Sequence, residues 1–528
     1  MRRTRRGRLL ATLVAGVMVL AACGGGGGGG DAGTVWVRAI NGDPMTMGLN
    51  AQLVTGSIPR TFSAQIMDPL IFVSDDSTLS PALAESWELS ADGLTLTLRL
   101  RQGVKWHDGQ PFTAEDVKFN FDEIIPLSTY GAELAERVAS VEITDPATVV
   151  VHLQEPYGPV LEAVAGQFMV PEHVYEGTDY VTNQANKEPI GTGPMKFAQY
   201  TPGQEVVLEK NPDYWEGEVR VDRAVFTIIP DPNSRAEALF SGEIDEAILD
   251  VSQQDRVAAS ENTHLMEEGN FSEYIPMMFN AQSEYLADPE VRAAVFAAAD
   301  RTAIAEIALA GVAKPAKRLF PDEPAWALNT DIDFDRDFPR DLAAINATLD
   351  RAGFPRGPDG TRFTLTLRYI SSLTATAATA EMVKSMLADV GIGAELVGTS
   401  GAVFTEKVYT EGEFDLAFLR TSLGAEPSIG ITRWYTCNER KAAAANPSGI
   451  CDPQIEAAAA AALAATDQTT RGEAYKALQA RATELMIQAP LAWFNGEFPT
   501  VSTARWNGLD EPQALAERRA WLTMTPTS

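Results

Sequence analysis

Histidine and cysteine are scarce in this chain, with four His and three Cys among 528 residues. No two of His107, His152, His173 and His264 stand at metal-ligand spacing, and no CxxC, HExxH, GxSxG or SxxK run occurs. Nothing in the sequence therefore supports a zinc site or the common nucleophilic hydrolases, and no metal or cofactor is expected. Carboxylates are plentiful, so two of them meeting in a cleft keep a secreted hydrolase of glycosidase type as the alternative from a different class. Basic residues are in deficit too. Forty-two Lys and Arg face 72 Asp and Glu, a net charge of -30. The first 22 residues contribute five arginines and no acid, so the remainder carries -30 - 5 = -35. So acidic a surface argues against nucleic acid or an anionic membrane as partner, and like charge kept for solubility accounts for most of it. With 45% hydrophobic and 22% charged residues, the chain reads as a globular protein long enough for two or more lobes.

The N-terminus is built differently from the rest. Arg2, Arg3, Arg5, Arg6 and Arg8 precede an apolar run from Leu9 to Leu20, the pattern of an export signal and too short for a spanning helix. Leu20-Ala21-Ala22-Cys23 resembles a bacterial lipobox, in which the cysteine is lipidated and becomes the mature N-terminus. Gly24 to Gly30 then forms a flexible tether, and multiple acylation would fix the protein to the outer face of the cell membrane. The route stays open: Arg5-Arg6 suits the twin-arginine pathway, but Arg8 stands where that motif prefers an aromatic. Cys437 and Cys451 remain as a pair. In an oxidising compartment their disulfide would contribute about 3 kcal/mol, with free buried thiols as the alternative.

Leu83 to Asp122 is the most informative stretch. After the turn at Asp92-Gly93, Leu94, Leu96, Leu98 and Leu100 alternate with Thr95, Thr97, Arg99 and Arg101, the period of a half-buried strand. A second turn is expected at Asp108-Gly109. Thr113 lies three residues before Asp116, the spacing of a capping box, and Phe112 with Val117 would staple the helix start. His107 beside Asp108 reads as a solvated histidine next to a turn. The glycines of Gly191-Thr192-Gly193-Pro194 lack a Walker ending and open no helix, so they are expected to let two chain segments approach closely. Ser234 to Glu237 has capping-box spacing, and Asp288-Pro289 reads as an N-cap followed by an N1 proline. Beyond Gly311 the pattern alternates helix and strand, as in an α/β lobe.

Three segments carry a resemblance: Leu83 to Trp87, Gly103 to Gly109, and Phe112 to Val117. They resemble the signature of the extracytoplasmic solute-binding family 5 of ABC importers, the peptide-, dipeptide- and nickel-binding proteins. Pro189 to Phe197, Ala238 to Asp245 and Asp288 to Ile304 are similar to further family segments. The resemblance implies an α/β, two-lobed periplasmic-binding-protein-like fold with two hinge crossings, and a receptor rather than an enzyme. Family topology implies a signal peptide at 1–22, lipidated Cys23 and tether at 23–33, and a first lobe of 34–280 plus 497–528 with a subdomain inserted at about 55–185. The second lobe is then 281–496.

Ligand contacts implied by the family are Met45 and Thr46 in the first loop, Asn280 at the first crossing, and Trp493 with Phe494 at the second. Peptide-binding members carry Gly-Trp, then an aspartate for the peptide α-amine, then an acidic-Pro dipeptide. Here Arg420 stands at the tryptophan, Leu423 at the aspartate, and Glu426-Pro427 matches the end. A buried ammonium without a carboxylate partner costs several kcal/mol, so a free-amine peptide requires Glu426 or Glu273 as substitute. Arg420 would either clamp a ligand carboxylate or phosphate, or form a structural salt bridge. The expected partners are a small solute (a short peptide or peptide-like compound, alternatively an oligosaccharide or other small organic solute), the permease subunits, and the membrane through the lipid anchor. A monomer is expected. A sensory or adhesion lipoprotein on the same fold is a third reading.

Overall fold

The computed structural model describes residues 33–46, 48–54, 57–74, 78–128, 131–249, 253–265, 273–322, 324–422, 426–494, 499–508 and 520–527. The export signal, Cys23, the glycine tether and Leu423 lie outside the described residues. Residues 34–528 form one compact unit.

Two large sheets define two lobes. In the first, the apolar strand Val35–Ile40 lies in parallel between Arg223–Ile228 and Glu246–Ile248. Antiparallel strands extend it on both sides, giving the order Thr263–Leu265, Pro499–Ser502, Glu246–Ile248, Val35–Ile40, Arg223–Ile228, Glu205–Lys210, Met195–Thr201. The second sheet runs Ala313–Pro315, Gln488–Phe494, Glu273–Phe279, Leu416–Phe418, Phe363–Ile370, Ile392–Thr399, with Thr421–Ser422 added on Glu273–Phe279. Glu273–Phe279, expected as the end of the first lobe, is thus a central strand of the second sheet. It is buried almost throughout, as its unbroken apolar run requires. Phe363–Ile370 and Ile392–Thr399 are parallel neighbours joined by the helix Thr374–Asp389, the alternating helix–strand pattern read from the sequence.

The stretch after Leu83 folds into a four-stranded antiparallel sheet, Ala84–Leu89, Thr95–Leu100, Thr148–Leu153, Val138–Asp145. Leu96, Leu98 and Leu100 are buried while Arg99 is exposed, and Gly93 and Gly109 take the positive φ that the two turns need. Thr113 caps the helix Ala114–Phe119 through a capping box with Asp116. Asp116 has a wider role: it also accepts from the Glu172 N–H at 3.0 Å and the Trp106 indole at 3.2 Å. The cap of Pro232–Phe240 corrects the sequence reading. Asp231, not Ser234, is the N-cap and accepts from the Ser234 N–H at 2.8 Å, because Pro232 occupies N1 and moves the helix start upstream.

Candidate functional site

Glu273, Arg420, Trp493 and Phe494 are brought together by strand register. Glu273 stands opposite Phe494 and Ser422, and Tyr274 opposite Trp493 and Thr421. Arg420, one residue ahead of that short strand, places its Nε 3.0 Å from the Glu273 carboxylate, both side chains keeping some exposure. Trp493 and Phe494 are buried in the second lobe's core, and the Tyr274 and Trp493 rings pack 4.6 Å apart between centroids. Their rings therefore serve packing, while the side chains of the Arg420–Glu273 pair stay partly exposed. Of the two roles the sequence leaves for Arg420, the ion pair with Glu273 is present.

The other expected contacts are elsewhere. Asn280 spends its side chain inside the second lobe, donating to the carbonyls of Gly412 at 3.0 Å and Phe414 at 2.8 Å and accepting from the Gln282 N–H at 3.0 Å. Met45 sits in the 3-10 turn Pro44–Thr46 against the first lobe's core, on a loop held by Asp43, which accepts from the Tyr200 hydroxyl at 2.7 Å. Thr46 shares that turn.

Glu426 is fully enclosed, at 2% exposure. It caps the short helix Pro427–Gly430 by accepting from the Ser428 N–H at 2.6 Å, and it also accepts from the Tyr475 hydroxyl. Arg471 lies beside it, Nε to Oε1 3.7 Å, and reaches Glu162 of the four-stranded subdomain at 3.4 Å. Burial pushes the Glu426 carboxyl up to about 7, against the pull of Arg471 and Tyr475. A carboxyl so occupied belongs to the contact between lobe and subdomain. Arg471, Glu162 and Tyr475 were missed by sequence reasoning. Their only sequence signal is the helix start at Asp467, which places Arg471 and Tyr475 one turn apart on a common face.

His107 is not a solvated side chain. Its Nδ1 accepts from the Gly191 N–H at 3.2 Å and its Nε2 lies 2.9 Å from the Gly193 carbonyl, which fixes the neutral Nε2–H tautomer. Burial pushes its pKa down to about 4. The loop it staples is as tight as its glycines suggest: a Cβ on Gly191 would stand 1.9 Å from the Ile66 carbonyl oxygen. Asp108 pairs instead with His173 at 2.7 Å. Cys437 and Cys451 are joined in a disulfide.

Residues 78–442 match the family model for bacterial extracellular solute-binding proteins, family 5 Middle. A Brucella abortus protein with the provisional name ABC transporter peptide-binding protein is 31% identical, the match covering 86% of each chain. Di/tripeptide-binding protein 2 of Pseudomonas aeruginosa is 30% identical over 80% of this chain and 82% of its own. The crystal structure of the ABC transporter substrate-binding protein CtaP from Listeria monocytogenes superposes with a TM-score of 0.81 at 24% identity, covering 90% of this chain and 95% of that one. This chain belongs to the bacterial extracellular solute-binding proteins of family 5.

Proposed function

We propose that this protein is the lipid-anchored receptor of an ABC importer, which captures a short peptide or peptide-like solute between its lobes and delivers it to a membrane permease. The observation that carries the ligand class is the Arg420–Glu273 pair, a cation and a carboxylate 3.0 Å apart and partly exposed on the second lobe. A zwitterionic solute offers both charges their complement, its carboxylate to Arg420 and its ammonium to Glu273, each as a charge-assisted hydrogen bond. Glu273 then supplies the acid that position 423 lacks. The relatives named for peptide and di/tripeptide binding support the same class. Anchoring rests on the lipobox-like run ending at Cys23, and delivery on the importer role of the family. The lobes close on the solute because it binds the closed form better.

Mass spectrometry of solute retained by protein purified under mild conditions tests the class directly: a peptide or other zwitterion is expected. Recovery of an oligosaccharide would keep the receptor and replace its cargo. Arg420→Ala should weaken binding of the recovered solute by roughly tenfold or more while the melting temperature barely moves. Unchanged affinity removes Arg420 from the site.

A further inference from the structure

The four-stranded subdomain meets the second lobe along a short seam. Gly158, just ahead of the helix Val160–Ala165, donates its N–H to the Leu463 carbonyl at 2.6 Å. That carbonyl lies at the C-terminal end of the helix Pro453–Ala464, where the last carbonyls have no partner within the helix. The approach is close enough to exclude a methyl group. A Cβ on Gly158 would stand 2.2 Å from the Ala465 carbonyl oxygen, and one on Gly93 would stand 2.4 Å from the Thr466 side chain. One helical turn beyond Gly158, Glu162 faces Arg471 across the same seam at 3.4 Å.

Arg471 is shared between two carboxylates, Glu162 from the subdomain and Glu426 from its own lobe, and all three side chains are buried. The Arg471 guanidinium rests over the Trp326 ring at 5.0 Å. Desolvation offsets much of the attraction in a buried ion pair, so such a contact sets register more than it adds stability. The seam is therefore complementary in shape, and its ion pair adds little net free energy. A contact of that kind closes readily and reopens readily.

We propose that this seam is the latch of lobe closure: Gly158 and Glu162 engage Leu463 and Arg471 when the lobes shut and release together when they part. Its use in solute capture rests on the receptor reading above; the latch itself needs no solute. Because only the closed form holds solute well, apparent affinity scales with the closed fraction, and residues that never touch the solute tune it.

Hydrogen exchange of the ligand-free protein tests this. The Gly158 amide is bonded across the seam, so it exchanges when the lobes part, whereas the amides of Thr148–Leu153 within the subdomain sheet wait for that sheet to open. Gly158 should exchange about tenfold or more faster than those strand amides. Glu162→Gln, which keeps the side chain's size, should speed Gly158 further and leave the strand unchanged. Gly158→Ala should hold the lobes apart, seen as a larger radius of gyration in solution scattering. A Gly158 rate equal to the strand's, or unaltered by Glu162→Gln, overturns the latch whatever Gly158→Ala does. Neither readout involves a solute, so a protein that proves to carry none would sink the receptor reading and leave these rates standing.

Discussion

Gly191→Ala should be among the most destabilising single-methyl changes in the chain. The added Cβ would meet the Ile66 carbonyl oxygen at 1.9 Å, its carbon at 2.7 Å and Met67 Cα at 3.1 Å. An ordinary carbon–oxygen contact is about 3.3 Å, so relief requires a backbone shift of more than 1 Å. Four hydrogen bonds depend on that position: Gly193 N–H to Ile66 O at 2.9 Å, His107 N–H to Gly191 O at 2.9 Å, and the two between His107's ring and the loop. At about 1 kcal/mol net for each, their loss costs about 4 kcal/mol, and overpacking without loss costs about 1–3. We expect about 3 kcal/mol or more. Gly203→Ala is the contrast. It has φ +68° and open space, so its penalty is backbone strain alone, about 1 kcal/mol. Urea denaturation followed by tryptophan fluorescence compares the two at equal m-value. If Gly191→Ala falls within 1 kcal/mol of Gly203→Ala, close approach is not what this glycine is for.

Three further outcomes are expected. His107 should titrate near pH 4 by NMR, and its folded pKa, lying below the usual 6.5, gives stability that is present above 6.5 and lost as the pH falls toward 4; a titration near 6.5 refutes its burial. Glu426 has the opposite sign: raised from 4.5 to about 7, it gives stability present below 4.5 and lost as the pH rises through 7, so Glu426→Gln should flatten that part of the stability–pH curve, and an unaltered curve contradicts the burial. Replacing both Cys437 and Cys451 by serine should cost about 3 kcal/mol, the chain-entropy value for a 14-residue separation, and an unchanged denaturation midpoint would show that the second lobe fixes this loop without its bridge.

Legibility followed sequence distance, with the Ser234 box, displaced by Pro232, as the local exception. The leucine alternation, the Thr113–Asp116 box, the turns at Gly93 and Gly109 and the proline start after Asp288 are settled within a few residues, and each appears where its spacing places it. The Gly191 loop was readable as a close approach but not as an approach to Ile66, 125 residues upstream. His107 went wrong for the same reason. Its environment is made by Gly191 and Gly193, 84 and 86 positions away, and no local pattern records them. Glu162 and Arg471 are 309 positions apart, and each alone is one charge among many.

Four acid–proline pairs show where local grammar stops. Asp231-Pro232, Asp288-Pro289, Glu426-Pro427 and Asp452-Pro453 all begin helices, and in each the acid accepts from a backbone N–H as N-cap. In these four, proline at N1 and the carboxylate before it satisfy the helix start. The motif does not fix the dielectric. Backbone donors hold the Asp231 carboxyl below its ordinary range, and Arg481 does so for Asp452. Glu426 makes the same cap and shifts the other way, because the second lobe and the subdomain enclose it. One local role thus yields two carboxylates held below their ordinary range and one that gives up charge near neutral pH. What separates them is enclosure: desolvation, helped by Glu162 from the subdomain, outweighs the pull of Arg471 from Glu426's own lobe.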